Sequence, residues 1–531
     1  MQTVSSIKSK KMMLWIIIVS AILLILLIVR LAVIQFVDGN KLKQLAYEQQ
    51  TLNRKITSKR GTIYDATGEN ILAQSSTVET VTVNSTNIPE DKKELVSKAL
   101  SDILELDYEE TLKKVQKRSS IETIAKKVEK DKTNELRQWM KDNNIEAGIN
   151  IDEDTKRYYP YSTVASQVIG FCGSDNQGLD GIEAKYDDIL KGKSGQIEKL
   201  TDAKGGDMQQ LEETYVAAEK GKDLVLTIDL TIQSIAEKYL ENACIDNECT
   251  DGGNVIIMNP NNGDILAMAT YPNYDLNNPY ELENSENMDS SEKNKQLQAK
   301  WRNKAIADTY EPGSTFKILS AFLPALDKNH MTLATVYEDA PYNYIDTNRP
   351  VRNYYKGYKG YSTIREAITN SMNVVSAKTI ADVTPKTSFE YLMNLGFSTL
   401  VSNETTSNGN VYTDITQSLS LGGLTYGVTN MELTSAYASI ANGGTYQKPV
   451  LYTKVVDHNG NILLSNTQKG KRVMKESTAF LLTDAMKDVI TKGTGKSAKL
   501  SSSMAVAGKS GTTSNSYDYW FSGYTPYHTA S

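Results

Sequence analysis

Ser314 and Lys317 stand three residues apart in EPGSTFKILSAFLPAL, Glu311–Leu326. On a helix that spacing puts both side chains on one face, about one turn apart. A serine hydroxyl is inert at neutral pH until a base removes its proton. A lysine can be that base only when burial or a second cation lowers its own pKa. Phe316, Ile318, Leu319, Phe322, Leu323 and Leu326 make this helix apolar on several sides, so Lys317 is expected inside the protein. Pro312 and Gly313 suit the loop that enters it. Other nucleophilic chemistries have little support. His330, His458 and His528 are the only histidines, and none sits in a nucleophile-elbow or HExxH context, which disfavours a Ser-His-Asp hydrolase and a zinc peptidase.

Two further clusters could serve the same cavity: Ser371-Met372-Asn373 and Lys509-Ser510-Gly511-Thr512. Each is common by chance when taken alone: Ser371 by itself reads better as a helix-cap serine, and Lys509 by itself as a solvent-facing strand lysine. The last cluster lies in MAVAGKSGTTSNSYDYWFSGYTP, which reads as a strand, a polar turn near Ser514 to Asp518 and an aromatic strand. Upstream, LVLTIDLTIQSIAEKYLENA predicts a strand and then a helix with Ile232, Ile235, Ala236, Tyr239, Leu240 and Ala243 on one face. NVIIMNPNNGDILAMATYP predicts a hairpin about Asn261-Asn262-Gly263-Asp264. Thr429 and Glu432 are in capping-box register ahead of a helix that ends at Asn442-Gly443-Gly444. The polar tract 281–300 is expected to be a mobile loop. Long helices mixed with an antiparallel sheet indicate an α+β fold, a helix-sheet-helix sandwich.

The 531 residues exceed one ordinary domain, and 40% hydrophobic content is normal for folded protein. Residues 12–29 are uncharged and mostly apolar, and after Arg30 the run resumes to Val37, so 12–37 is expected to be an uncleaved membrane anchor rather than a signal peptide. Lys8, Lys10 and Lys11 precede it and Lys41, Lys43, Arg54 and Lys55 follow it, leaving its orientation open. RGTIYDATGENILAQ, Arg60 to Gln74, predicts strand, turn, strand. The charged stretch from Glu90 to Asn144 predicts solvated helices with one packed side, and residues 196–217 a connecting segment, with a domain boundary near 218. Cys172, Cys244 and Cys249 are odd in number and lack metal-like spacing, so free thiols are expected, a Cys244–Cys249 bridge being the alternative. A net charge of −6 without a binding motif argues against a nucleic-acid footprint.

In this order the three clusters resemble the active-site serine penicillin-recognising enzymes. YEPGSTFK, LTIDLTIQ, NGDILAMA and AGKSGTT with WFSGYTP look like the transpeptidase domain of penicillin-binding proteins, while RGTIYD, RYYP and GLDGIEAKYD look like the pedestal of the class B, monofunctional members. The resemblance implies a cytoplasmic tail at 1–11, the anchor, an elongated α/β pedestal (dimerisation-type) domain at 38–217 and a transpeptidase domain at 218–531 outside the membrane. It implies Ser314 as nucleophile, Lys317 as base, Ser371 relaying a proton to the leaving amine, and Asn373 binding substrate and Lys317. Lys509, Ser510 and Thr512 would hold the substrate carboxylate, next to Gly511, and the backbone N–H groups of Ser314 and Thr512 would form the oxyanion hole. The implied reaction is D,D-transpeptidation of peptidoglycan stem peptides ending in D-Ala-D-Ala, with an amine of a neighbouring stem as acceptor. No metal or organic cofactor is implied, β-lactams would acylate the same serine, and the pedestal would contact a SEDS-type membrane glycosyltransferase. Rival readings are a β-lactam hydrolase or sensor, and a catalytically silent scaffold of a wall-synthesis complex. Two departures stand out: Ser510 occupies the position where the family usually has threonine, and only five residues follow Pro526, so the domain is expected to be C-terminally truncated.

Overall fold

The computed structural model describes residues 3–32, 51–119, 121–145, 147–200, 214–405, 408–501 and 503–531. The apolar N-terminal run forms one helix, Thr3–Ala32, of which Met12–Ala32 is long and apolar enough to cross a bilayer. The expected continuation to Val37 lies outside the described residues. The chain divides into two compact units, each assembled from several segments.

One unit comprises Met1–Lys59, Ser76–Lys156 and Lys193–Glu219. Helices Lys93–Leu104, Tyr108–Gln116 and Lys130–Asp142 bury Val96, Leu100, Leu104, Val115 and Leu136 against Val81, Val83, Ile124 and Ile149. Charged residues cover their outer faces, as the sequence leads one to expect. Strand Glu122–Val128, which pairs antiparallel with the stretch from Glu79 to Val83, interrupts the expected run of helices. Two short strands also stand where a bare connecting segment is expected: Gly195–Leu200 pairs with both Thr51–Ile56 and Thr214–Val216. Residues 201–213 of that segment lie outside the described residues.

The other unit comprises Arg60–Ser75, Arg157–Gly192 and Lys220–Ser531. A buried ion cluster ties its early segments together. Glu183 accepts from Arg60 Nε at 2.5 Å and from Arg157 Nε at 2.6 Å, and Arg60 Nη1 reaches Asp187 at 2.5 Å. RGTIYD, RYYP and GLDGIEAKYD thus each contribute to one cluster. Strand β1, Asp223–Leu226, runs parallel to Ile63–Tyr64 and antiparallel to Tyr452–Val456. Asp229 caps helix α1, Leu230–Asp246, by accepting from Ile232 N.

Strands β2, Gly253–Met258, and β3, Ile265–Tyr271, form the expected hairpin. Because strand side chains alternate between faces, Val255, Ile257, Ala267 and Ala269 meet Ala236 and Leu240 of α1, whereas Ile256 and Met258 share a cluster with Ala438 on the opposite side. The apolar face expected for α1 is only partly the buried one. Ile235 and Tyr239 are exposed, and Gln233 is buried instead, its amide accepting from Met268 N at 2.7 Å and donating to Met268 O at 3.0 Å. The polar tract 281–300 also departs from expectation. It contains helix α2, Ser290–Trp301, capped by Asp289, because its Glu, Lys, Gln and Ala residues are strong helix formers despite lacking an apolar face.

The helical run 313–327, α3, combines a 3-10 turn at Gly313–Thr315, a π turn at Ile318–Phe322 and an α-helical end at Leu323–Asp327. Around it pack α4, Ile364–Thr369; α5, Asn373–Val383; α6, Asn430–Ala441; and α7, Glu476–Thr491. Phe316, Leu319 and Phe322 share one core with Met372 and Val375, with Leu433 and Tyr437, and with Leu482 and Met486. Capping boxes fix the starts of α4, from Thr363 and Glu366, and of α6, from Thr429 and Glu432 as expected. Strands β4, Ala507–Thr512; β5, Tyr519–Tyr524; and β6, Thr529–Ala530 complete a five-stranded sheet in the order β3-β2-β6-β5-β4. With α1 on one face and α6 on the other, the fold is the helix-sheet-helix sandwich expected.

Candidate active site

All three sequence clusters meet where α3 begins, where α4 turns into α5, and along β4. Lys317 is 1% exposed and Lys509 fully buried. Lys317 Nζ donates to the Ser371 carbonyl at 2.7 Å, to Ser371 Oγ at 3.1 Å and to Asn373 Oδ1 at 2.5 Å. Lys509 Nζ donates to the same Ser371 Oγ at 3.0 Å and to the Ser510 carbonyl at 2.9 Å. One hydroxyl therefore bridges two lysines in a dry site.

Two ammonium groups cannot comfortably share that hydroxyl. Burial pushes Lys317 well below the usual lysine range, and the Lys509 charge pushes it further; burial alone brings Lys509 down to about 7. Lys317 carries both penalties and so releases its proton first. A neutral amine keeps two N–H bonds and one lone pair. The Ser371 carbonyl and Asn373 Oδ1 can only accept, so they take the two N–H bonds, and the lone pair is left for a hydroxyl, with Ser371 Oγ 3.1 Å away. Ser314 lies one turn before Lys317 and is half-buried between Gly313 and Thr315, which are both buried.

The turn holding Ser371 has its own backbone requirement. Ser371 adopts φ +53°, the left-handed region, in the position that ends α4. Glycine would normally sit there, and a serine costs about 1–2 kcal/mol. The hydroxyl's placement between the lysines accounts for the exception. On the other wall, β4 runs against the start of α3. A Cβ added at Gly511 would stand 2.7 Å from the Pro312 carbonyl oxygen and 3.1 Å from Thr315 Cγ2, so only glycine allows this approach. Replacing Gly511 with valine is therefore expected to push β4 off α3 and destabilise the protein by about 1–3 kcal/mol, which a thermal melt would measure.

Two supporting groups carry no sequence signature. Thr494 Oγ1 hydrogen-bonds Ser510 Oγ at 3.0 Å, and Tyr437 Oη donates to the Thr315 carbonyl at 2.7 Å, bracing the backbone beside Ser314. Thr494 follows α7 and Tyr437 lies mid-α6, so only the fold brings them to the site. Among the described residues no cluster of metal-ligating side chains occurs, and all three cysteines are free thiols.

Residues 253–531 match the penicillin-binding protein transpeptidase domain, and residues 55–226 match the penicillin-binding protein dimerisation domain. The chain belongs to the penicillin-binding protein transpeptidase family. Among its relatives, stage V sporulation protein D of Bacillus subtilis (strain 168) is 31% identical over 523 residues, which are 96% of this chain and 77% of the relative. The probable peptidoglycan D,D-transpeptidase PenA of Neisseria gonorrhoeae is 26% identical over 511 residues, 94% of this chain and 81% of PenA. The fold is shared with penicillin-binding protein 2X from Streptococcus thermophilus, with TM-score 0.67 at 21% identity, covering 90% of this chain and 76% of that one. It is also shared with the penicillin-binding protein PBP2 solved in complex with MreC from Helicobacter pylori, with TM-score 0.70 at 20% identity, covering 90% of this chain and 94% of that one. As a class B penicillin-binding protein, the chain is a peptidoglycan D,D-transpeptidase.

Proposed function

We propose that this penicillin-binding protein works through a serine acyl-enzyme. Lys317 takes the Ser314 proton, and Ser314 Oγ attacks the penultimate D-alanine carbonyl of a stem peptide. The C–N bond to the terminal D-alanine breaks, and its nitrogen receives a proton relayed through Ser371. An amine of a second stem then attacks the ester, forming the cross-link and returning the proton to Ser314 Oγ. The observation that carries this reading is the Ser371 hydroxyl held between Lys317 and Lys509, with Asn373 consuming one N–H of the base. Thr512 and Ser314 would present backbone N–H groups to the oxyanion, and Lys509, Ser510 and Thr512 would receive the substrate carboxylate. Ser510 keeps the hydroxyl of the usual threonine.

Incubation with benzylpenicillin, followed by intact-mass and peptide mapping, tests the reading. A single, long-lived penicilloyl adduct on the peptide holding Ser314 is expected. Rapid turnover of a chromogenic cephalosporin would support a hydrolase instead, and an adduct elsewhere would overturn the assignment.

The two lysines also set a pH profile. Lys317 acts only once it has lost its proton, so acylation rises with pH through the lower apparent pKa of the pair. Lys509 attracts the carboxylate only while protonated, so acylation falls as pH rises past about 7. A bell-shaped profile of the second-order acylation constant is expected. A rate that climbs steadily from pH 7 to 9 would show that Lys509 does not act as a cation.

The domain division we propose keeps the tail at 1–11, the anchor at 12–37, the pedestal at 38–217 and the transpeptidase domain at 218–531, with 60–75 and 157–192 packing alongside the catalytic segments in one compact unit. Met12–Ala32 would make the protein a single-pass membrane protein, with its catalytic domain outside the cytoplasm. A SEDS-type glycosyltransferase is the proposed membrane partner, resting on the family resemblance. The solved PBP2–MreC complex of Helicobacter pylori supports looking for contacts with other wall-synthesis proteins as well.

A further inference from the structure

Asn373 binds the base, yet nothing within its own turn holds it. The residue before α5, Met372, has no side-chain cap for the helix start, which leaves the first N–H groups of α5 in need of an acceptor. That acceptor arrives from a different part of the chain. Asn353 Oδ1 accepts from Asn373 N at 2.9 Å and from Val374 N at 3.3 Å. The Asn353 amide nitrogen donates in turn to Asp339 Oδ1 at 2.8 Å. The other Asp339 oxygen accepts from Tyr355 Oη at 2.7 Å and from Lys359 N at 2.8 Å. Next to Asn353, the Arg352 carbonyl accepts from the Asn373 side-chain nitrogen at 2.6 Å, which turns Asn373 Oδ1 toward Lys317.

We infer that Asn353, oriented by Asp339, is a positioning residue that sets the Asn373 amide, and through it the Lys317 amine, for acylation. The polarity of the chain admits one arrangement. Backbone N–H groups can only donate and the Asp339 carboxylate only accepts, so the Asn353 amide has its oxygen on α5 and its nitrogen on Asp339. Asp339 is 1% exposed, and Val351 packs with Val374 and Ala377 of α5 in a small core of its own. The segment between strands Val336–Asp339 and Gly360–Thr363, which pair antiparallel, is thus pinned to the helix whose start it caps. The inference rests on the acyl-enzyme reading above.

The test is a polarity swap. Asn353→Asp sets two carboxylates against each other, and in Asp339→Asn the new amide nitrogen must face either the Asn353 amide nitrogen or the Lys359 N–H. In Asp339→Asn with Asn353→Asp, residue 339 donates, residue 353 accepts, and every partner is restored. Labelling with a fluorescent penicillin gives two readouts per variant: the end-point, which counts folded molecules, and the acylation rate of the molecules that label. Each single variant is expected to label fully but about 10- to 100-fold more slowly at saturating penicillin, with its pre-covalent affinity unchanged. The double variant should recover to within about 3-fold of the unmodified protein. If the end-point falls while the rate of the labelled fraction stays unchanged, the pair is merely structural and the inference is overturned. It is equally overturned if the single variants label at the normal rate or the double variant fails to recover. Absence of labelling on Ser314 in the unmodified protein would instead refute the acyl-enzyme reading, which keeps the two failures apart.

Discussion

Replacement of Lys317 with methionine is expected to slow β-lactam acylation about 10²- to 10⁴-fold, the range set by losing a positioned general base, while the protein stays folded. Methionine matches the length and apolar body of lysine, so the core of Phe316, Leu319 and Phe322 keeps its packing. Two effects on stability oppose each other. The Ser371 carbonyl and Asn373 Oδ1 lose a donor, at about 1–3 kcal/mol for each buried acceptor left unpaired, while Ser371 Oγ keeps Lys509. Against that, folding no longer has to strip a proton from a buried lysine, which costs about 1.4 kcal/mol for each unit of pKa depression below the unfolded value. The pH dependence of stability separates the two. Both buried lysines have folded pKa values below their unfolded 10.5, so the unfolded chain binds more protons and stability rises with pH, for Lys509 between about 7 and 10.5. The Lys317→Met protein should lose the Lys317 part of that rise in urea-midpoint measurements at successive pH values. Lys317→Arg makes a useful companion, because a guanidinium stays charged and cannot accept a proton. A methionine variant that acylates within a few-fold of normal would remove Lys317 from the mechanism.

Some of this site could be read from the sequence and some could not, for physical reasons. Ser314 and Lys317 are legible together because helical spacing alone brings them onto one face. The clusters at Ser371 and at Lys509 gain meaning only from their order and from the strand-turn-strand pattern about Lys509. Local pattern also suffices for the β2–β3 hairpin and the capping boxes, whose partners are neighbours in the chain. Where partners are distant, sequence reading fails. Asn353 caps a helix that starts 20 residues later, Thr494 steadies Ser510 from beyond α7, and neither has a local signature. The α1 prediction misjudged its buried side because a glutamine took the inner position, satisfied by the Met268 peptide in a way no hydropathy pattern encodes. The 281–300 tract was misjudged for the opposite reason, its helix resting on intrinsic propensity and one cap rather than on a buried stripe. The division into compact units is non-local too: the segments 60–75 and 157–192 are tied to each other through Arg60, Arg157 and Glu183, and 60–75 joins the catalytic segments through the pairing of Ile63–Tyr64 with β1.

That cluster is the basis of the second large effect. Glu183→Ala is expected to destabilise the protein by about 3–5 kcal/mol, the cost of breaking a buried ion pair from one side. Glu183 has no exposed side-chain surface, and Arg60 and Arg157 are 2% and 3% exposed. Removing the carboxylate would leave two guanidinium groups close together with little water to screen them. Asp187, 21% exposed, would still pair with Arg60 Nη1 at 2.5 Å, but among the described residues Arg157 would keep only the Gly61 carbonyl, at 2.7 Å. Among the described residues Arg157 Nη2 already has no partner. The cluster also keeps Cys172 protonated: burial, then the Glu183 charge, push its thiol up to about 12, and it should resist alkylation in the native state. A fall in melting temperature of about 4–7 °C follows from the expected energy, read by differential scanning calorimetry. Replacing Arg60, Arg157 and Glu183 together with apolar side chains of similar volume should restore much of the loss, since burying the charges is itself costly. If Glu183→Ala melts within about 2 °C of the unmodified protein, the cluster does not hold these segments in place.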